Sequence, residues 1–267
     1  MTETILAVVE DVDKARSFID ATLTLVEFRH AHLVVELLAP VPLLSPASAP
    51  LGAVYALADE VEHRAWFTRA DLLTRLPAEC TAEVLTQVDG SAFLAGDLRR
   101  TAPVTDLVTV GPPESWTSDQ LRQRTVEALL MFAGAPMLLL PPGRSVRRIN
   151  HAVIGWKVGT PATRALRELV RLAAPGARID VAVVTNETMP DLQGVTNYLG
   201  RHGFAAEPHV LAHDERTADT LQAFALDRGA DLLAVGGYTH SRAREAIFGG
   251  VTRTLVDDPR TPVLIVH

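Results

Sequence analysis

The chain alternates short apolar runs with longer stretches in which apolar residues recur every three or four positions. The first pattern predicts buried strands and the second predicts amphipathic helices. Runs at 4–9, 33–38, 82–88, 107–110 and 137–140 predict five strands in the first half. Helical spacing covers 12–28, 54–76, 94–101 and 118–132, with Ser118 placed to cap the last of these. Ala15, Phe18, Ile19, Thr22, Leu23 and Val26 share one face of the first helix. Trp66 and Phe67 on the second are expected to pack against the sheet or a partner. Residues 40–52, rich in Pro, Ser and Ala, read as a loop.

After 142–148, a Pro-Gly-Arg linker, the pattern restarts. Strands are predicted at 152–156, 179–184, 209–212, 232–235 and 263–266, and helices at 161–173, 191–202, 217–228 and 251–257. The two halves are an internal repeat. Thr105-Asp106-Leu107-Val108-Thr109-Val110-Gly111 matches Ala230-Asp231-Leu232-Leu233-Ala234-Val235-Gly236. Ala135-Pro136-Met137-Leu138-Leu139-Leu140 matches Thr261-Pro262-Val263-Leu264-Ile265-Val266, and His30-Ala31-His32-Leu33 matches Gly176-Ala177-Arg178-Ile179. The offset is 146 residues at Ala31/Ala177 and 125 at Asp106/Asp231, so the first half carries 21 more residues between those points. The loop from Pro40 and the start of the long helix are where they are expected. Alternating strands and helices imply an α/β fold: two tandem doubly wound domains, each a five-stranded parallel sheet flanked by helices. The expected domains are 1–143, with an insertion near 40–60, and 149–267. Ligands in such sheets sit beyond the carboxyl ends of the strands, where strand order reverses.

Composition narrows the function classes. Apolar residues make up 48% and charged residues 21% of the 267, as in ordinary globular chains with ample core material. A net charge of −7 leaves no excess of cations for nucleic acid. The single cysteine, Cys80, allows no intrachain disulfide and reads as a small buried hydrophobe. The absence of a basic leader and of any apolar run near about 18 residues argues against export and membrane spanning, and for the cytoplasm.

The chemistry concentrates in 235–255. An apolar strand runs into Gly236, a basic segment follows, and Gly249-Gly250 opens a helix. Strand, glycine turn and helix start leave backbone N–H groups free to face an anion. This arrangement resembles the universal stress protein family, in its two-domain form with UspA-type repeats. That family's nucleotide signature is Gly, two residues, Gly, nine residues, Gly, then Ser or Thr, after the fourth strand. Gly236 and Gly249 match its first and third glycines; Thr239 stands at the second, and Gly250 at the Ser/Thr. The ending Thr-Pro-Val-Leu-Ile-Val-His is similar to the family's last strand. The resemblance implies an adenine nucleotide, ATP or AMP, as ligand, with a stress-sensing or regulatory role and an unidentified protein partner. It also implies an intramolecular pseudo-dimer through the last strands and leaves a homodimer open. Gly236, Gly249 and Gly250 would offer backbone to phosphate, Thr239 and Lys157 would line the ribose–phosphate region, and Val184 would lie at the adenine. Lys157 replaces the acid that binding members carry after the first strand, so it would meet phosphate as a point charge and could not hold magnesium. Whether magnesium accompanies the nucleotide stays open.

In the first half, Gly111-Pro112-Pro113 puts proline, which has no N–H, where donors would be needed. Glu10 and Asp11 stand at the end of its first strand without a cradle, so this half reads as structural or as an interaction domain. Two readings of the C-terminal glycines stay open: a nucleotide cradle, or a tight turn kept for folding. His209 and His213, four apart on a strand, would share a face, yet no third ligand is evident, so no metal is assigned. Arg147-Arg148 reads as a solvated cluster. No catalytic motif or nucleophile–base pair is present. Relatives that cleave ATP between its α and β phosphates use a Ser-Gly-Gly-x-Asp loop, absent from 156–160.

Overall fold

A computed structural model describes residues 2–42, 51–187, 191–212, 216–237 and 250–267, and it divides the chain into two units, Met1–Ala135 and Pro136–His267. In the first unit β1 (Thr4–Val9) is followed by α1 (Arg16–Arg29), β2 (His32–Val41), α2 (Leu51–Arg75), β3 (Ala82–Gly90), α3 (Ser91–Asp97), β4 (Leu107–Val110) and α4 (Asp119–Phe132). β1 pairs in parallel with β2 and β4, and β2 with β3, giving the order β3-β2-β1-β4. Residues 5–9 of β1 are all buried, which is why that strand is apolar without alternation. Ser118 caps α4 by accepting from the Leu121 N–H at 3.1 Å.

Two helices carry features beyond the sequence pattern. α1 ends at His30, the only described residue besides glycine with positive φ, at +51°. Its partner in the repeat, Gly176, has φ +76°. A side chain in this left-handed region costs about 1–2 kcal/mol, against roughly 0.5–1 for the extra unfolded freedom of glycine. His30→Gly is therefore expected to raise stability by about 0.5–1 kcal/mol, read as a shift in chemical denaturation midpoint. α2 spans 25 residues against nine for α6 (Gln193–Arg201), its counterpart. It faces inward through Ala65 and Leu72, while Trp66 and Phe67 are exposed. Of the two settings expected for these aromatics, the sheet or a partner, the sheet is excluded. Each lies about 100° or more around the helix from Ala65, beyond reach of the strands.

The second unit holds β5 (Met137–Leu139), β6 (His151–Gly155), α5 (Thr160–Leu172), β7 (Arg178–Val184), α6, β8 (Ala205–Leu211), α7 (Thr217–Asp227), β9 (Leu232–Gly236), α8 (Gly250–Asp257) and β10 (Val263–Val266). Parallel pairings run β10-β9-β6-β7-β8. β5 adds to β10 antiparallel, with Val263 opposite Leu139, Leu264 opposite Leu138 and Ile265 opposite Met137. Leu138 and Leu264 are equivalent in the repeat, so this ladder is symmetric about them and the two copies of the last strand close each other's edge. β8 starts at Ala205, earlier than 209, despite Pro208. It is the outermost strand, where a missing N–H can face solvent. α5 shows the cleanest amphipathic pattern, burying Ala162, Ala165, Leu166, Leu169 and Leu172 on one stripe.

Candidate functional site

The parallel register places three of the expected site residues on one edge. Gly155 of β6 lies beside Ala182 of β7 and Val235 of β9. Gly236, Lys157 and Val184 therefore emerge at or just past the carboxyl ends of three adjacent strands, where such sheets bind ligands. The Trp156 N–H donates to the Ala182 carbonyl at 2.8 Å, so the ladder continues one step before the chain leaves for Lys157. Lys157 is exposed and has no hydrogen bond or ion pair among the described residues. Val184 is half-buried, and the next residue, Thr185, is tied to Leu211 by its N–H at 3.0 Å.

The two described signature positions, Gly236 at the first glycine and Gly250 at the Ser/Thr, differ physically. At Gly236 a Cβ would lie 2.5 Å from the Ala162 nitrogen and 2.6 Å from the Pro161 carbonyl carbon, both backbone atoms of the first turn of α5. Glycine there is demanded by close strand–helix packing. At Gly250, the first residue of α8, nothing among the described residues lies within 4 Å of where a Cβ would sit, and the residue is exposed. Thr239, Gly249 and His213 lie outside the described residues.

The corresponding edge of the first unit is filled by its own side chains. Glu10, past β1, accepts from the Thr117 N–H at 2.8 Å and the Ser118 N–H at 3.0 Å, at the start of α4. A carboxylate thus takes the free N–H groups and the positive end of the helix dipole, where an anion would otherwise sit. Asp11 accepts from the Asp13 and Lys14 N–H groups and from the Thr117 hydroxyl. At Gly111 a Cβ would collide with the Ser115 hydroxyl, which belongs to a short turn over Pro113–Ser115.

No protein-family model matches the sequence, and no curated protein matches it. Solved structures do. A universal stress protein from Archaeoglobus fulgidus DSM 4304 superposes with a TM-score of 0.75 at 13% identity, over 98% of this chain and 95% of its own. The fold is that of the universal stress proteins. A putative universal stress protein from Pseudomonas aeruginosa UCBPP-PA14 matches at TM-score 0.56 and 14% identity, over 99% of this chain and 93% of its own. A functionally unknown protein from Pseudomonas aeruginosa PAO1 matches at 0.56 and 16%, over 99% and 92%.

One constellation on this universal stress protein fold went unread in the sequence. Asp180, fully buried in β7, accepts from four donors: His151 Nε2 at 2.9 Å, Arg228 Nε at 3.0 Å, and Arg178 Nε and His209 Nε2 at 3.2 Å. Glu207 accepts from Arg178 at 2.8 Å and Arg228 at 3.3 Å. The hydrogen bond to Glu207, then the neighbouring carboxylates, raises the Arg178 pKa further, against some desolvation. Both imidazoles present Nε2 to an acceptor-only group, so both Nε2 atoms carry hydrogen. The signal was there: an acid inside an apolar strand, with Arg178 two residues earlier on the same strand, His151 on β6, and Glu207 and His209 two apart on β8. Asp180 and Glu207 do stand beside His209, within 4.8 Å, although no third ligand was foreseen. Two guanidiniums already hold these carboxylates, so a divalent ion would have to displace them. The cluster lies toward the amino ends of the strands, about 13 Å along β7 from Val184, and is separate from the carboxyl edge.

Elsewhere, Glu36 is buried in β2 and satisfied by Gln87 at 2.8 Å and the Thr101 hydroxyl at 2.7 Å. Burial, then Glu27, pushes the Cys80 thiol up, which disfavours the nucleophilic thiolate. No described helix is long and apolar enough to cross a membrane.

Proposed function

We propose that the chain is a cytoplasmic, two-unit universal stress protein whose second unit binds an adenine nucleotide, ATP or AMP, and that it acts as a stress-response sensor or regulator. One juxtaposition supports this reading: the uncommitted Lys157 ammonium lies on the same strand edge as Val184 and the end of β9. Lys157 would meet phosphate, the Gly250 N–H would add a donor, and Val184 would face the base. No acid holds a metal at the Lys157 position, so binding is expected to depend weakly on magnesium.

Calorimetric titration of nucleotide-stripped protein with ATP and AMP, with and without magnesium, tests this. Lys157→Ala is expected to weaken binding about tenfold, the scale of one charge-assisted hydrogen bond. Gly250→Ser, which has room for its side chain, is expected to strengthen it about three- to tenfold by adding one hydroxyl. Absence of saturable heat in the parent chain would end the nucleotide reading, and ATP turnover above blank would bring back an enzymatic one. For the first unit, Glu10 seated on the α4 N-terminus favours a structural or protein-interaction role.

A further inference from the structure

α2 has a second apolar stripe that the fold does not use. Tyr55, Trp66 and Leu73 lie 11 and seven residues apart, whole numbers of helical turns, and so share one face. They are 74%, 60% and 41% exposed, although the core-facing stripe through Ala65 and Leu72 is already satisfied. Asp59, Glu62 and Arg69 fill the same face and are also exposed. Single exposed apolar residues need no explanation, but three aligned on one face about 27 Å long, alternating with charged residues, do.

The order of residues along this stripe is self-complementary when reversed. Taken about position 64, Tyr55 maps onto Leu73, Asp59 onto Arg69, and Glu62 onto Trp66. An antiparallel pair of α2 helices related by a twofold axis near residue 64 would set Tyr55 on Leu73 at both ends. It would also place each Asp59 carboxylate against an Arg69 guanidinium, and each Trp66 indole N–H against a Glu62 carboxylate, which can accept it. Every one of the six positions meets a chemically suited partner, twice over, as an isologous interface requires. Arg69 donates through Nε to the Val84 carbonyl at 2.8 Å, which holds its side chain on the flank of the helix. Phe67 packs edge-on against the Trp66 ring, 5.1 Å between centroids, and steadies it. We propose that the exposed face of α2 is a homodimer interface, occupied by the same face of a second copy of this chain.

Sedimentation equilibrium of the full chain across a wide concentration series provides the test. A reversible dimer is expected, with its dissociation constant raised about tenfold or more by Trp66→Glu and by Asp59→Arg. Both positions are exposed, so circular dichroism should be unchanged. A chain carrying Tyr55→Cys, Leu73→Cys and Cys80→Ser is expected to form a disulfide-linked dimer on oxidation, because the two positions are too far apart to bridge within one helix. A chain that stays monomeric throughout, a dimer indifferent to Trp66→Glu and Asp59→Arg, or failure of the cysteine pair to cross-link would each overturn the proposal.

Discussion

Asp180→Ala is expected to destabilise the second unit by about 2–4 kcal/mol. The Asp180 side chain is fully buried and collects four donors, two on each oxygen. Hydrogen bonds involving charged groups contribute roughly 1.5–3 kcal/mol each, and breaking a buried ion pair from one side costs about 3–5. The loss stays below the sum because Arg178 and Arg228 are 39% and 31% exposed and keep Glu207. Asp180→Asn should be nearly as damaging, since its amide group presents N–H donors to a shell made only of donors. Glu207→Gln is the control: this carboxylate is 58% exposed, and surface pairs contribute about 1 kcal/mol or less. Chemical denaturation followed by circular dichroism measures all three. An Asp180→Ala chain within 1 kcal/mol of the parent would mean that water satisfies the four donors.

Much of the fold was legible because the inner strands are buried on both faces and several helices show an apolar stripe. The apolar runs found β4 and β10 to the residue, and helical spacing found most of α4 and α5. Edges were harder. β8 is the outermost strand, its residues mostly exposed and interrupted by Pro208, so no apolar run marked its start. The face that α2 turns to solvent was unreadable for the opposite reason. Trp66 is apolar and at helical spacing, the signature of a core residue, and only register against β2 and β3 shows that a different stripe does the packing. At the carboxyl edge of the strands, the family resemblance picked out Gly236, Lys157 and Val184 singly. The pairing of β9, β6 and β7 is what brings them to one place. Period-two alternation placed His209 on a face but could not name Asp180 as its partner, because that contact depends on which strands are neighbours.

Gly236→Ala is expected to cost about 3 kcal/mol or more, while Gly250→Ala should be neutral or stabilising by up to about 1 kcal/mol. The added methyl at 236 would stand 2.5–2.8 Å from two backbone atoms and the Pro161 Cβ, none of which can rotate away. The first turn of α5 would have to retreat by nearly 1 Å to reach ordinary contact. That helix is fixed by Ala165 and Leu169, both fully buried, so retreat would open voids along its length. At 250 the methyl meets nothing among the described residues, and alanine removes the unfolded-state freedom of glycine from a helix. The two signature positions therefore have unlike roles: Gly236 is a packing residue that lets strand and helix touch, and Gly250 is free of any packing demand from the described residues. This contrast governs how binding data must be read. Lost nucleotide binding in Gly236→Ala would follow from displacement of α5 and of the Lys157 segment just before it. Altered binding in Gly250 variants would report on the α8 N-terminus itself. Thermal and chemical unfolding of both alanine variants decides between these roles, and a Gly236→Ala chain less than 1 kcal/mol below the parent would remove the packing explanation.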